Sequence, residues 1–289
     1  MSIRALRTLI AVQRHGSFRA AAEAEHLTAS AVSHQMKNLE DAWGLVLFDR
    51  SLKSPVLTQT GLTLVGEATK LVSDYDNLAA KVSEGEELFG ELILGAVPTT
   101  LTGLVPLGLS RLKVLHPGLR VRIVPGLSNQ LLLQLERQQI NAAIISRPEV
   151  LPPSLVFSEI MSEELVLLVS EGAADLPPND LLGTLPFIRF TRDAVVGRQI
   201  EAWLQQRGIE VSDAMELEGL EAISSMVAAG LGVSIVPQSR FTESEHLRLK
   251  RISLEEDGPR RVIGLVSQAS RPRARVVEAV KTAFSEAVI

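Results

Sequence analysis

The sequence predicts a mixed α/β chain in which a small helical head precedes two lobes of strands and helices, and three observations predict it. Apolar residues recur at helical spacing through the segment that ends near Asp41. A long stretch without proline then runs from Thr60 or Gly61 to Phe89. From Glu91 onward, short apolar runs alternate with helical patterns, the order that packs helices against parallel strands.

In the head, Leu6, Leu9 and Ile10 give a first helix its apolar stripe, and His15-Gly16 stops it. Ser17 is placed to cap a second helix, Phe18 to Ala24, whose alanines let another helix cross closely. Thr28 caps a third helix running to about Asp41. Val32, Met36 and Leu39 share one face of it, and Ser30, Ser33, His34 and Lys37 share the other. Gly44 to Arg50 leads through the loop Ser51 to Pro55 into Val56-Leu57-Thr58, which returns as a strand and makes a small β-wing. Residues 1–60 thus form one domain.

Residues 61–89 repeat apolar side chains near a heptad period, Leu64, Val65, Leu71, Val72 and Leu78 among them, with acids opposite. They are read as a dimerising linker helix, against a plain helix packed on its own domain. The remainder, 90–289, reads as a domain of two lobes. The first comprises about 90–161 plus 268–289, with strands at Leu92 to Val97, Val121 to Val124 and Ala142 to Ile145 and helices near Leu101 to Leu115 and Gln130 to Arg137. The second, about 162–267, has strands at Leu165 to Val169, Phe187 to Phe190, Val233 to Val236 and Val262 to Val266. Its helices lie near Gln199 to Gln206 and Glu221 to Ala229, and a last helix follows Pro272. Ligands bind at the carboxyl ends of strands in such folds.

Composition narrows the function. The 289 residues contain no cysteine, which removes disulfides and thiolate metal sites and fits a reducing cytoplasm. No apolar run is long enough to cross a bilayer and no signal peptide opens the chain, so the expectation is a cytoplasmic protein. The formal net charge is -5, yet the first sixty residues are slightly basic and the linker is acidic. A mildly basic head on an acidic body suits specific DNA binding with little non-specific grip.

Gly16-Ser17-Phe18-Arg19-Ala20-Ala21-Ala22-Glu23, followed by Leu27-Thr28-Ala29-Ser30-Ala31-Val32-Ser33-His34-Gln35-Met36-Lys37-Asn38-Leu39-Glu40, resembles the DNA-binding signature of LysR-type transcriptional regulators. Gly44, Leu47 to Arg50 and Leu57 to Gly61 continue it at the expected spacing, and Ala228 to Pro237 resembles a glycine motif of the family's regulatory domain. The resemblance implies a winged helix-turn-helix and a periplasmic-binding-protein-like pair of lobes around an effector cleft. It also implies promoter DNA as partner, a small organic effector, no cofactor or metal, and dimers paired into tetramers. Ala29-Ser30 stands where the family often has Gln-Pro, and alanine lacks glutamine's bidentate contact to adenine, so no operator sequence carries over. The wing is also less basic than in many members.

On that reading Ser30, Ser33 and His34 face bases or nearby phosphates, and Lys37 contacts phosphate. Ser17 and Thr28 offer hydroxyls at helix N-termini, which attract phosphate. Arg50 and Lys53 grip the backbone or a minor groove, though Arg50 has a rival role pairing with Glu40 or Asp41. For the effector, an anion, the candidates are Thr99, Thr100, Ser128, Asn129, Ser146 and Thr191, which end strands or open helices, with Arg147, Arg192 or Arg198 as carboxylate partner. Plain capping is the alternative for each hydroxyl, and surface ion pairing for each arginine. No nucleophile elbow, P-loop or metal-ligand cluster supports an enzyme. A transport solute-binding protein and an effector-independent DNA-binding regulator are the other rivals.

Overall fold

The computed structural model describes residues 2–51, 55–76, 78, 88–238, 247–254, 258–269 and 274–288. They fall into two compact units, Met1–Glu86 and Glu87–Ile289.

In the first unit, α1 (Ile3–His15), α2 (Phe18–Ala24) and α3 (Ala29–Trp43) begin on side-chain caps from Ser2, Ser17 and Thr28. Each cap supplies an acceptor to an N–H that the helix itself leaves bare. Gly16 ends α1 at φ 73°, a left-handed conformation that glycine adopts without steric cost. Leu9, Val32, Met36, Leu39, Leu47 and Phe48 close the core. Phe18 meets Phe48 edge to face, with ring centroids 5.0 Å apart. Strands β1 (Phe48–Asp49) and β2 (Val56–Leu57) pair antiparallel as the wing. Helix α4 (Gln59–Asp76) buries Val65 and Ala68 in this core, while Leu62, Leu71, Tyr75 and Leu78 stand exposed. The apolar stripe read from sequence therefore splits between the head and an open face, and residues 77 and 79–87 of the expected linker lie outside the described residues.

The second unit is built on a sheet in which β3 (Gly90–Ala96) runs parallel to β4 (Leu119–Pro125) and β5 (Ala142–Ser146). Strand β11 (Arg260–Gln268) pairs antiparallel with β5 and with β6 (Leu155–Ser170). Beyond Glu164, β6 leaves β11 and pairs with β9 (Ser234–Pro237) and β10 (Leu249–Ser253) in the second lobe. There β7 (Pro186–Phe190) and β8 (Ser212–Leu217) form a parallel pair, bridged to the rest at Phe187 and Val233.

Both faces of the first-lobe sheet are covered. Leu92, Leu94 and Ile144 pack one way toward Leu104 of α5 (Leu104–Leu115) and Phe284 of α10 (Ala274–Glu286). Ala143 and Ile145 pack the other way onto Leu131 and Leu135 of α6 (Ser128–Glu136). Burial on both faces makes these strands continuous apolar runs. The second lobe gathers around Leu167, Phe187, Ile200, Ile223 and Ile235, with α7 (Pro178–Thr184), α8 (Val195–Arg207) and α9 (Leu220–Ala228) on its sheets.

Two expectations need correction. The sheet is mixed, because β6 and β11 run against its parallel strands. The chain also returns to the first lobe earlier than position 268: Ile263 to Ser267 already pair with β5, so the crossing falls at β6 Glu163–Leu165 and at the start of β11.

Candidate functional site

Two sites stand out, one in each unit. In the head, Val32, Met36 and Leu39 are buried, which turns Ser30, His34 and Lys37 to solvent and leaves Ser33 half-buried. Lys37 makes no ion pair among the described residues. The Asn38 amide nitrogen lies 3.2 Å from Nδ1 of His34, one helical turn away, and both side chains are exposed. Sequence reading missed Asn38, although its i+4 spacing from His34 was available. The hydroxyls of Ser17 and Thr28 serve their own helices: they accept from Ala20 N and Ala31 N, each at 3.2 Å, and Thr28 also lies 3.0 Å from the Ser30 hydroxyl.

Arg50 takes up its rival role. It donates to Oε2 of Glu40 at 2.6 Å, while Oε1 of Glu40 accepts from the backbone N–H groups of Leu47 and Phe48 at 2.8 and 3.1 Å. One carboxylate thus ties α3 to the start of the wing, and the guanidinium stays half exposed beside it. The neighbouring Asp49 is held below its ordinary carboxylate range by the backbone N–H and then the hydroxyl of Ser51. Lys53 lies outside the described residues.

In the second unit a cleft of about 340 Å³, its open mouth included, lies between the lobes. Val97, Pro98, Thr99, Leu127, Ser128 and Ser146 line it from the first lobe, and Phe190, Ala194, Val195, Val196, Glu218 and Gly219 from the second. Arg261 forms part of the wall where the lobes join. The sequence places helix starts here for a physical reason: α6, α8 and α9 follow the strands β4, β7 and β8, and strand ends converge at this crevice. Helices α6, α8 and α9 begin at Leu127, Ala194 and Gly219, none of which caps its helix with a side chain, although in α6 the Gln130 N–H is taken by Asn129 Oδ1.

Ser128 and Ser146 are each at least nine-tenths buried as residues and line the cleft. Thr99 is engaged: its Oγ1 accepts from Nη1 of Arg261 at 2.7 Å. Its own proton is therefore free for a further acceptor. Arg261 is fully buried and donates through Nε to Glu163 at 2.6 Å. The two face each other across β11 and β6 at the lobe crossing. Burial lowers the Arg261 guanidinium from its ordinary range, and the Glu163 charge opposes this.

The remaining candidates stand elsewhere. Thr100 is buried and donates to the Val97 carbonyl at 2.8 Å, because the 3-10 turn Pro98–Thr100 rotates it away from Thr99. Asn129 is exposed and accepts from Gln130 N at 2.8 Å. The hydroxyl of Thr191 accepts from Asp193 N at 3.3 Å within a turn. Arg147 pairs with Glu159 at 2.8 Å and lies over the Phe157 ring, and Arg198 donates to the carbonyls of Arg192 and Asp193. Arg192 bonds Glu216 and Asp213. Nearby Arg189 joins Asp213 and Glu201 and so fixes α8 against β7 and β8. Sequence reading missed Arg261 and Glu163 as well, because their alternating strands look like any half-buried pair.

The family model for a bacterial regulatory helix-turn-helix protein of the lysR family matches residues 3–62, and that for a LysR substrate binding domain matches residues 85–288. The chain belongs to the LysR family. It is a LysR-type transcriptional regulator, with a DNA-binding head and a domain for a small-molecule effector. A hydrogen peroxide-inducible genes activator of Haemophilus influenzae is 29% identical over 297 residues, spanning 100% of this chain and 97% of its own. Among solved structures, a full-length OxyR variant from Pseudomonas aeruginosa superposes with a TM-score of 0.73 at 23% identity, covering 98% of this chain and 94% of its own. CbnR in complex with its target DNA gives 0.67 at 22% identity, covering 98% of this chain and 100% of its own. At these identities the structures speak for the fold alone. Among the described residues no helix is long and apolar enough to cross a membrane.

Proposed function

We propose that this LysR-type regulator controls transcription in response to an anionic small molecule held in the cleft between its lobes. The observation that carries the reading is that Ser128 and Ser146 line the cleft beside the N-termini of α6 and α8, neither of which is capped by the side chain preceding it. Thr99, polarised by Arg261, adds a third donor. The Arg261–Glu163 pair carries no net charge, so donors rather than a free cation recognise the anion.

The chain has no cysteine, so an effect that works by oxidising a cysteine does not apply to it. An effector bound without covalent chemistry fits the residues present.

On DNA, α3 enters the major groove. Ser30, Ser33 and His34 meet base edges or nearby phosphates, and Lys37 meets phosphate. Arg50 and Lys53 lie along the backbone, with Arg50 held in place by Glu40. Ser17 and Thr28 act through the helix N-termini they cap. The exposed Leu71, Tyr75 and Leu78 on and after α4 supply a surface for a second copy, and the regulator works in the cytoplasm as a dimer or tetramer.

Calorimetry of the full-length protein against a panel of small carboxylates tests the effector reading. A carboxylate should bind, and Ser128→Ala with Ser146→Ala should weaken it by about tenfold or more. Absence of binding by every carboxylate, or unchanged affinity in the double variant, would contradict it.

A further inference from the structure

The cleft has a second pole. Glu218 lines it on the turn between β8 and α9, and Glu218 has no ion pair among the described residues. Glu221 flanks Gly219 on the other side, again without an ion pair among the described residues, and its carboxylate lies 3.9 Å from where a Gly219 side chain would begin. Glu221 occupies the first turn of α9 and answers the positive end of that helix itself. An anion is therefore steered to α6, α8 and Thr99, and kept from the α9 rim.

The charges on the cleft wall sum the same way. Arg261 is cancelled by Glu163, which leaves the free carboxylate of Glu218. A dianion meets repulsion at that rim. Between the poles the wall is apolar: Val97, Pro98, Leu127, Phe190 and Val195.

We propose that the effector is a zwitterion of the amino-acid class. Its carboxylate is held by Ser128, Ser146 and Thr99, its ammonium faces Glu218, and its apolar side chain lies on Val97, Leu127 and Phe190. This rests on the anion-binding reading above and adds the requirement for a cation on the same molecule.

The test is a thermal-shift and calorimetric screen of the full-length protein with the standard L-amino acids, each beside the carboxylic acid lacking only the amino group. At least one amino acid should bind, with a loss of about tenfold or more when the amino group is absent. Glu218→Gln should shrink that ratio by about tenfold. Des-amino acids that bind as tightly as the amino acids, or a ratio unmoved in Glu218→Gln, overturn the zwitterion and leave the anion pole standing. Binding by no amino acid while des-amino acids bind has the same meaning. If neither set binds, both this inference and the reading beneath it fall.

Discussion

Removing Arg261 probes the joint between the two lobes of the sensing domain. Arg261 and Glu163 are buried, hydrogen-bonded at 2.6 Å and placed at the crossing between lobes. In Arg261→Met the Glu163 carboxylate keeps its burial and loses its only charged partner among the described residues. Breaking a buried pair this way costs about 3–5 kcal/mol. Spread over the unit Glu87–Ile289, at about 2–4 °C per kcal/mol, that is a fall in Tm of about 6–20 °C. Replacing both members, Arg261→Met with Glu163→Leu, removes the stranded charge and should restore most of the loss, since buried pairs exchange for apolar groups at little net cost. A double-mutant cycle by thermal and urea unfolding of the full chain measures both effects. A single variant that melts within about 2 °C of the parent, or a double variant as unstable as the single, would show that the pair is not bound together in this way.

Further outcomes follow from the same geometry. Thr99→Val should lose ligand affinity by about tenfold, whereas Thr100→Val, which breaks only the bond to Val97 O, should cost about 1 kcal/mol of stability; calorimetry and urea melts separate the two. Glu40→Ala leaves Leu47 N, Phe48 N and Arg50 without their acceptor and should destabilise the head by about 2–4 kcal/mol in denaturant titration. Lys37→Ala should reduce the slope of log affinity against log salt by about 0.9 for each recognition helix, measured on one DNA duplex. Glu216 is held below its ordinary 4.5 first by the Arg192 backbone N–H, so its contribution is whole above that value and is lost as the pH falls through the folded one; Glu216→Gln should flatten the acid limb of the stability profile.

Local chemistry was legible in the sequence because it acts over short distances. Ser17 and Thr28 cap the helices that follow them, and the apolar face of α3 is the one its spacing predicts. The apolar runs at Leu92 and Ala142 became strands because both faces of the sheet are covered. Edge elements hid themselves: β8 and β10 carry the sequences SDAMEL and LKRIS, whose exposed polar residues lack a strand's usual contrast. The cleft was half legible. Thr99, Ser128 and Ser146 end strands or open helices, which sequence order reveals, but which of Thr99 and Thr100 faces inward depends on the phase of one 3-10 turn. Arg261 lies 98 positions from Glu163 and 162 from Thr99, and only the antiparallel return of β11 brings the three together.

On the proposed reading, everything the regulator does begins where the exposed face of α3 meets DNA. The decisive experiment selects the genomic fragments bound by the purified full-length protein, beside Ser33→Ala/His34→Ala/Lys37→Ala at the same salt. A small set of enriched fragments sharing a partly palindromic sequence, lost in the triple variant, is the expected result. An unenriched pool, or the same fragments captured equally by the triple variant, would mean that this face does not read DNA.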